Sequence, residues 1–269
     1  MIDLDKYLST FDYGKTISNP ELWCEMDKVW DTFSLNNRLP FSNQDIGSFY
    51  SHPVWILNGL FSENDINSFE HRKRIAEFAR NYFQKTEFLK IADFGGGSGV
   101  LAKILENDLP NLDKMHIVEP WPSEYFLTKL NSYKKIQFVS NFENINYYDL
   151  IIAQDVLEHV ENPIQIAFKC FEATNINGLL IFANCFQPHI KCHLPRNFYL
   201  RHMFRYVVTS SSLIYIGRLP GAYHMEVYQK KDSTALTKFI LFKNLIAKIT
   251  GPIVNFVFIF LLKIKNIFK

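Results

Sequence analysis

A glycine-rich loop in the first half of the chain carries the clearest chemical signal in the sequence. Residues 93–99 read Asp-Phe-Gly-Gly-Gly-Ser-Gly, and they follow a short apolar run and precede a helical pattern. Glycines are needed where the backbone must turn tightly and approach a ligand without a Cβ in the way. Loops of this kind bind nucleotide-like ligands, and the spacing of the glycines indicates which type.

The spacing excludes two familiar nucleotide loops. A P-loop ends in Gly-Lys-Ser/Thr, whereas Val100 and Leu101 follow here. The dinucleotide fingerprint Gly-x-Gly-x-x-Gly, counted from Gly95, requires a glycine where the sequence has Val100. What remains is the pattern Asp-x-Gly-x-Gly-x-Gly, formed by Asp93, Gly95, Gly97 and Gly99.

Polar residues follow the next predicted strands as well. Glu119 and Pro120 come directly after the second strand, where a carboxylate can accept hydrogen bonds from both hydroxyls of a ribose. Asn141 and Phe142 follow the third strand. We expect these residues to lie beside the glycine loop, because the carboxyl ends of parallel strands meet at one edge of a sheet.

The fourth predicted strand runs into Gln154, Asp155, Glu158 and His159. If this segment begins a helix, the last three share one face, since positions i, i+3 and i+4 are neighbours. Their oxygen and imidazole groups could hold a divalent metal. The alternative, which we favour, is that Glu158 and His159 pack and cap the fold, so no metal is expected.

Together these blocks resemble the class I S-adenosylmethionine-dependent methyltransferases of the small-molecule type. The glycine loop is similar to the first motif of that family, Glu119 to its ribose-binding acid, and the segment 148–163 to the part that follows its fourth strand. The blocks occur in the family's order, and the resemblance covers roughly residues 48–230.

The resemblance implies that S-adenosylmethionine is the cofactor and that it becomes S-adenosylhomocysteine. Many family members hold the adenine amino group with an acidic residue near position 141; Asn141 stands here, and backbone groups of Phe142 are the substitute. The implied cofactor-binding residues are Asp93, Gly95, Gly97, Gly99, Glu119, Pro120, Asn141, Phe142, Gln154 and Asp155.

The segment 184–196 follows the fifth strand and is expected to face the methyl donor. Its residues Cys185, His189, Cys192 and His193 match no paired zinc pattern. An imidazole with a pKa near neutrality suits general-base work, so His189 and His193 are catalytic candidates, with His159 as a third. The alternative is that these histidines are structural.

Four further residues are expected to bind the acceptor. Tyr50, His52 and Trp55 could close over it as a lid, or they could form the core of the N-terminal segment. Arg196 could recognise a phosphate or carboxylate, as could three other arginines, or all four could be ordinary solvated residues. The other three are Arg72, Arg201 and Arg205.

The elements that position these residues alternate between strand and helix from residue 88 onward. This alternation favours a parallel, doubly wound sheet. A short connection through Pro220 and Gly221 joins two strand-like segments, 213–216 and 224–228, and implies an antiparallel pair. The other predicted strands are 88–94, 114–118, 135–139, 148–153 and 179–183, and the predicted helices 100–107, 123–130, 163–172 and 197–208.

The predicted fold is therefore α/β: a doubly wound, seven-stranded sheet that ends in an antiparallel hairpin. Residues 1–85 form a helical N-terminal cap, residues 86–232 the methyltransferase domain, and residues 233–269 a helical C-terminal extension. Within the cap, helical patterns at 21–33 and 65–83 are separated by breaks at Ser51-His52-Pro53 and at Asn58-Gly59.

Composition limits the classes of partner. The chain is 48% hydrophobic and 21% charged, so it can form a sizeable core. A net charge of +2, without an arginine-rich stripe, does not favour nucleic acid. Four cysteines are few for a disulfide scaffold, and the first residues do not read as a signal peptide, so we expect a cytoplasmic protein.

The C-terminal extension is apolar and dotted with lysines. Residues 253–262 are interrupted only by Asn255, and this run is too short to span a bilayer. Packing on the chain's own domain or on a second copy is the favoured interpretation. The alternative is peripheral contact with the inner face of a membrane.

The predicted function is transfer of a methyl group to a small-molecule acceptor. The loop 186–195, the cap and the terminal hairpin resemble methyltransferases of surface-polysaccharide and natural-product pathways, which implies an oxygen of a saccharide, a phospho-substituted glycan or a natural-product intermediate. The alternatives are an RNA methyltransferase and a non-catalytic, cofactor-binding scaffold of the same fold.

Overall fold

The computed structural model describes residues 3–142, 147–234 and 237–267. A sheet of seven strands forms the centre of that part of the chain, in the order β3-β2-β1-β4-β5-β7-β6. The first five strands are parallel, and β7 runs antiparallel to both β5 and β6. The strands are β1 (Leu89–Phe94), β2 (Leu112–Val118), β3 (Ile136–Val139), β4 (Tyr148–Gln154), β5 (Thr174–Ala183), β6 (Leu213–Leu219) and β7 (Ala222–Lys230).

This topology confirms the predicted doubly wound sheet with an antiparallel ending. The order reverses between β1 and β4, and ligands of such sheets bind at the carboxyl ends of the strands at that point. The helices are α1 (Leu4–Ser9), α2 (Asn19–Thr32), α3 (Asn43–Tyr50), α4 (Pro53–Asn64), α5 (Ile66–Tyr82), α6 (Val100–Asp108), α7 (Glu124–Leu130), α8 (Pro163–Ala173), α9 (Phe204–Val208) and α10 (Thr237–Ile267).

The central strands are buried on both faces, because alternate residues point to opposite sides of a sheet. Ile91 and Ile152 pack in a core that also contains residues of α5 and α6. Ile151 and Phe182 pack in a second core with residues of α8 and α9. Strands with two covered faces read as continuous apolar runs, which is why the sequence predicts them well.

The N-terminal helices divide between two cores. Helices α1 to α4 form a third core, which we call the cap core, together with Phe126 of α7. Ile190, Cys192 and Leu194 of the segment that follows β5 are also part of it. Helix α5 instead packs on the sheet, so the sequence boundary near residue 85 does not coincide with the division in packing.

Two local predictions were wrong. Asn58-Gly59 does not break the chain: α4 continues through it, and a Cβ on Gly59 would lie 2.6 Å from the Cβ of Ser98, so glycine permits a close approach to the glycine loop. The helix expected at 197–208 is a 3-10 helix at Pro195–Leu200 followed by α9. The segment after Asp155, for which a helix was one possibility, forms a turn, and α8 begins at Pro163 as predicted.

Candidate functional site

The glycine loop, residues 95–99, joins β1 to α6 with three glycines at positive φ. Gly95, Gly97 and Gly99 have φ of 70°, 47° and 69°, a region that favours glycine. A Cβ on Gly95 would lie 2.4 Å from the Val156 side chain, and one on Gly99 would lie 2.4 Å from Leu130. The protein's own packing therefore demands glycine at those two positions.

Gly97 differs from its neighbours. A Cβ there would meet nothing nearer than the Gly95 carbonyl oxygen, at 3.9 Å. The Gly97 backbone N–H also donates a hydrogen bond to the Glu119 carboxylate. Space that no protein atom fills therefore lies at Gly97, next to the Glu119 carboxylate.

Asp93 lies at the end of β1, only 4% exposed. Burial raises the pKa of its carboxyl to about 7, the nearby Arg72 charge opposes that shift, and the Glu119 charge adds to it. The ionised carboxylate is thus poorly hydrated, and the Arg72 charge offsets only part of the free energy lost with the hydration. A cationic ligand group beside Asp93 would stabilise the ionised form.

Glu119 follows β2 and is part-buried. Burial raises the pKa of its carboxyl, while hydrogen bonds from the backbone of Trp121 and Gly97 oppose the increase. Its Oε1 accepts the Trp121 N–H at 3.3 Å. Pro120, between them, is exposed. The carboxylate is fixed by backbone donors and keeps capacity to accept further hydrogen bonds.

Arg72 of α5 completes this group. From the sequence, Arg72 is one of four arginines that could recognise a phosphate or carboxylate. No local pattern connects a residue in a helix with the end of a strand, so the sequence does not distinguish it from the other three. The structure brings its guanidinium under the electrostatic influence of Asp93, Asp155 and Asp65, and burial lowers its pKa. Its Nη1 donates to the Ser68 carbonyl oxygen at 3.0 Å.

Asn141 and Phe142 follow β3 as predicted. Asn141 is exposed, and its Oδ1 accepts the Phe142 N–H at 3.0 Å, so its side chain turns back on its own backbone. The Phe142 ring stacks on Phe94, at the end of β1, with centroids 5.5 Å apart. An aromatic surface therefore adjoins the glycine loop on the β3 side.

Gln154 and Asp155 end β4 beside the glycine loop. Asp155 has φ of 52°, a conformation that non-glycine residues rarely adopt and that often occurs at functional sites. Its N–H donates to the Ala183 carbonyl oxygen at 2.8 Å, and Gln154 Nε2 donates to its Oδ2 at 3.3 Å. We call these residues, with Asp93, Glu119, Arg72 and the glycine loop, the donor half of the site.

The turn after Asp155 buries Glu158 and His159. Glu158 is fully buried; its Oε1 accepts the Cys185 N–H at 2.8 Å, and its Oε2 has no partner in the described part of the chain. Burial and then the Asp155 charge raise the pKa of Glu158 to about 8. Burial and the nearby His193 lower the pKa of His159 to about 3, although the Cys192 backbone accepts a hydrogen bond from its ring.

His193 packs edge-on against His159, with ring centroids 4.7 Å apart. Its Nδ1 lies 2.7 Å from the Gln187 carbonyl oxygen, which can only accept, so Nδ1 carries the proton and Nε2 the lone pair of the neutral ring. The Nδ1 of His159 is buried and, among the residues described, unpartnered. Burial is the main reason that the pKa of His193 is lowered.

Glu158, His159 and His193 are the group of ligand-type side chains that the structure brings together, with atoms within 4.8 Å of one another. No cysteine and no second carboxylate belongs to this group among the described residues. The three could hold a divalent cation, or they could receive a proton from an acceptor hydroxyl. We call them the acceptor half.

His189 lies further out. It is exposed, and its ring stacks on Trp23 of α2 with centroids 5.3 Å apart. The distance between the His189 and His193 ring centroids is 6.2 Å. His189 is thus a neighbour of the buried pair, with one face covered by the cap.

Aromatic residues of the cap lie between the two halves. The Tyr50 ring stacks on Trp121 at 5.5 Å and contacts Trp55 at 4.9 Å, and Trp55 meets His159 edge-on at 6.1 Å. The Tyr50 hydroxyl and Trp55 Nε1 are buried and have no hydrogen-bond partner within the described ranges. Such atoms are exceptional in native proteins and indicate space for a ligand or water.

The other two predicted acceptor residues have structural partners. His52 is the N-cap of α4, where its Nδ1 accepts the Val54 N–H at 3.1 Å. Arg196 donates to the Leu39 carbonyl oxygen and pairs with Glu161 at 3.4 Å, so it joins the cap to the domain. These contacts give both residues a structural role, while Arg196 Nε is buried without a partner among the described residues, and their roles toward an acceptor stay predictions.

Comparison with solved structures shows which known fold this chain shares. No protein-family model matches the chain. Human N-acetylserotonin methyltransferase, solved with S-adenosylmethionine, is 14% identical with a TM-score of 0.53, covering 86% of this chain and 70% of that one. An O-methyltransferase family protein from Burkholderia thailandensis is 12% identical with a TM-score of 0.52, covering 80% and 73%.

A third solved structure, the CurJ carbon methyltransferase, is 12% identical with a TM-score of 0.51 and covers 85% of this chain and 70% of that one. At this identity the similarity is one of fold, and it includes the strand order, the antiparallel ending and the helices that flank the sheet. The chain therefore has the fold of the class I S-adenosylmethionine-dependent methyltransferases.

Proposed function

We propose that this chain transfers a methyl group from S-adenosylmethionine to an oxygen of a small-molecule acceptor. The observation that supports the proposal is the cluster of Glu158, His159 and His193, whose ligand-type atoms lie within 4.8 Å of one another. Glu158 Oε2 and His159 Nδ1 are buried there without a partner among the described residues. The lone pairs of the two neutral histidine rings favour a group that brings a proton, such as a hydroxyl. The donor half lies next to it, because β1 and β4 are paired neighbours.

The donor half offers complementary groups to each part of the cofactor. Gly97 leaves room for the nucleoside, and Glu119 accepts hydrogen bonds from the ribose. Arg72 is positioned to pair with the carboxylate of the methionine part, and Asp93 with its ammonium group. When bound, S-adenosylmethionine supplies a methyl group on a sulfonium sulfur, which is a good leaving group.

The acceptor half handles the proton. The Gln187 carbonyl fixes the tautomer of His193, so Nε2 can take the proton of an acceptor hydroxyl. His159 adds a hydrogen-bond acceptor and Glu158 a further hydrogen-bonding carboxyl in the same cluster. Alignment of donor and acceptor contributes much of the rate in such a displacement, and Tyr50 and Trp55 would exclude water from it.

A polyhydroxylated acceptor, a saccharide or a glycan, suits the unpartnered polar atoms of the site. The Tyr50 hydroxyl and Trp55 Nε1 can donate, Asn184 Oδ1 can accept, and the Glu158 carboxyl can do either according to its protonation. All four groups have a buried atom without a partner in the part of the chain that is described. Sugar hydroxyls both donate and accept, so one such molecule would satisfy groups of both kinds. A hydroxylated natural-product intermediate is the second candidate.

The test is turnover by the purified chain. S-adenosylhomocysteine formation should depend on a nucleotide-activated sugar, a glycan or a hydroxylated natural product, and the product should gain one methyl group by mass spectrometry. His193→Asn should bind the cofactor as tightly as the wild type while turning over far more slowly. Cofactor binding without turnover of any acceptor would favour the non-catalytic scaffold, and methylation of RNA would favour the nucleic-acid alternative.

The proposal also covers the cellular compartment in which the reaction takes place. The cytoplasm supplies S-adenosylmethionine and keeps thiols reduced, and the four cysteines, one exposed, are all unpaired. We propose that the reaction takes place there.

A further inference from the structure

Helix α10 turns several of its polar side chains toward the protein. Lys243 Nζ donates to the Thr209 carbonyl oxygen at 2.7 Å, and Lys243 is only 7% exposed. Asn255 Nδ2 donates to the Phe198 carbonyl oxygen at 2.8 Å. A helix on the surface of a water-soluble protein normally does the reverse and points such groups outward.

Small residues form the rest of the inner face. Ala247 is fully buried, and a Cβ on Gly251 would lie 2.4 Å from the Tyr199 carbonyl oxygen. The Tyr199 hydroxyl donates to Asn244 Oδ1 at 2.6 Å. Small residues and interhelical hydrogen bonds at the contact are typical of helices that pack in lipid.

The outer face is a stripe of large apolar side chains. Their spacing of one, three or four residues places them on one side of the helix, opposite the contacts with Thr209 and Phe198. Each is between 57 and 71% exposed: Leu241, Phe242, Leu245, Ile249, Ile253 and Phe256.

From Phe256 onward, apolar side chains on every side of the helix are at least partly exposed, although the Phe258 ring also packs on His202 with centroids 4.3 Å apart. Successive residues of a helix are separated by about 100°, so six in a row point in every direction. The six residues of this tip are between 41 and 71% exposed: Phe256, Val257, Phe258, Ile259, Phe260 and Leu261. A second copy or a protein partner would cover one side of the tip, whereas lipid surrounds it.

The charge of this region fits an anionic surface. Residues 233–269 contain six lysines and no aspartate or glutamate. Lys263, directly after the tip, is exposed, as is Lys248 beside the stripe. Lysines next to buried apolar surface strengthen binding to membranes that contain acidic lipids.

We propose that α10 inserts its outer stripe and its tip into one leaflet of an anionic lipid bilayer. Residues 239–261 are apolar and long enough to cross a bilayer, but the first half of the helix is packed on the domain. The packed half holds the helix on the domain, so the part from Phe256 onward is the part that is free to enter the bilayer. The helix therefore enters from one side, and the inference does not depend on methyl transfer.

The experiment is flotation of the full chain with vesicles of phosphatidylcholine containing phosphatidylglycerol. We expect the wild type to float, and the double variant Phe256→Glu/Phe260→Glu to lose binding by about tenfold or more, because charges replace inserted apolar area. The matched control is Phe88→Glu/Tyr223→Glu, which alters side chains of similar exposure outside α10, 63 and 67%. Equal melting temperatures of the variants exclude misfolding as the cause.

Each other outcome overturns the proposal. A wild type that stays with the soluble fraction, or a tip variant that floats as well as the wild type, contradicts it. If the wild type is a dimer by ultracentrifugation, does not float, and becomes monomeric in the tip variant, the stripe is an interface between two copies. Binding that is equally strong with and without phosphatidylglycerol, and that is unchanged in Lys263→Glu, contradicts the proposed preference for an anionic bilayer.

Discussion

The donor half and the acceptor half differ in how the chain builds them. The donor half consists mainly of backbone and carboxylates at the ends of β1, β2 and β4, each within a few residues of its strand. The acceptor half depends on contacts between distant segments, as when Glu158 accepts the Cys185 N–H. The first is set by local sequence and the second by tertiary packing, so substitutions should separate cofactor binding from turnover.

The largest effect is expected from filling the open space at Gly97. Gly97→Arg places a side chain where the nucleoside would lie, and we expect cofactor affinity to fall about 1000-fold or more by isothermal titration, since steric exclusion leaves no alternative position. Gly217→Arg is the matched control: Gly217 also has positive φ and open space, but it lies in β6. If both variants bind the cofactor equally well, the assignment of cofactor binding to the donor half is wrong.

Substitutions in the acceptor half should lower the turnover rate and leave cofactor affinity unchanged. His193→Asn removes the proposed base, and we expect kcat to fall about 100-fold with cofactor affinity unchanged. In the wild type the pKa of His193 lies below its ordinary 6.5, because burial disfavours the charged ring. Activity should therefore rise with pH along a limb centred below pH 6.5 and then level off. The variant should lack that limb, and a limb that persists would assign the proton to another group.

A smaller effect is expected at Glu119. Glu119→Ala removes an acceptor for the ribose, and the loss of a charged hydrogen bond lowers affinity by roughly 10- to 100-fold. The exposed Glu124, at the start of α7, provides the control Glu124→Ala, which should bind normally. Titration with S-adenosylhomocysteine measures both, and comparable losses would show that net charge, not position, is responsible.

The smallest effect concerns stability. The pKa of Asp93 is about 7 in the folded protein and 3.8 ordinarily, so the folded state holds this proton more tightly than the unfolded state. Its destabilising contribution is therefore absent below pH 3.8, grows as the pH rises, and is complete above pH 7. Asp93→Asn should raise the free energy of unfolding at pH 8 by on the order of 2 kcal/mol, and by less at pH 5, while weakening cofactor binding. Urea unfolding of the ligand-free proteins measures this, and a gain independent of pH would contradict it.

The two halves also differ in what the sequence could predict. The strand ends and the glycine loop follow from local patterns, and so does the neighbourhood of Asp93, Glu119 and Asp155. Arg72 was not singled out, because its proximity to Asp93 exists only when α5 packs on the sheet. The pairing of His159 with His193 depends on a turn where a helix had been considered.

His52 and Arg196 illustrate the same limit. Both have residue types that suit ligand binding, and both are engaged by the protein: His52 caps α4, and Arg196 holds the chain at Leu39. Capping and bridging leave no periodic signal that a single sequence would reveal. The predicted roles toward an acceptor stay predictions for all seven residues: Tyr50, His52, Trp55, His159, His189, His193 and Arg196.

The participation of Ile190, Cys192 and Leu194 in the cap core has a consequence for the timing of catalysis. These residues flank His193, so the segment that carries the proposed base belongs to the same cooperative unit as helices α1 to α4. A fluctuation that opens the cap would displace helices α1 to α4 and the segment around His193 together. The proposed base would therefore be in position only while the cap is closed. Amide hydrogen exchange should then report equal opening free energies in α4 and in residues 190–194, and equal protection of both by bound cofactor.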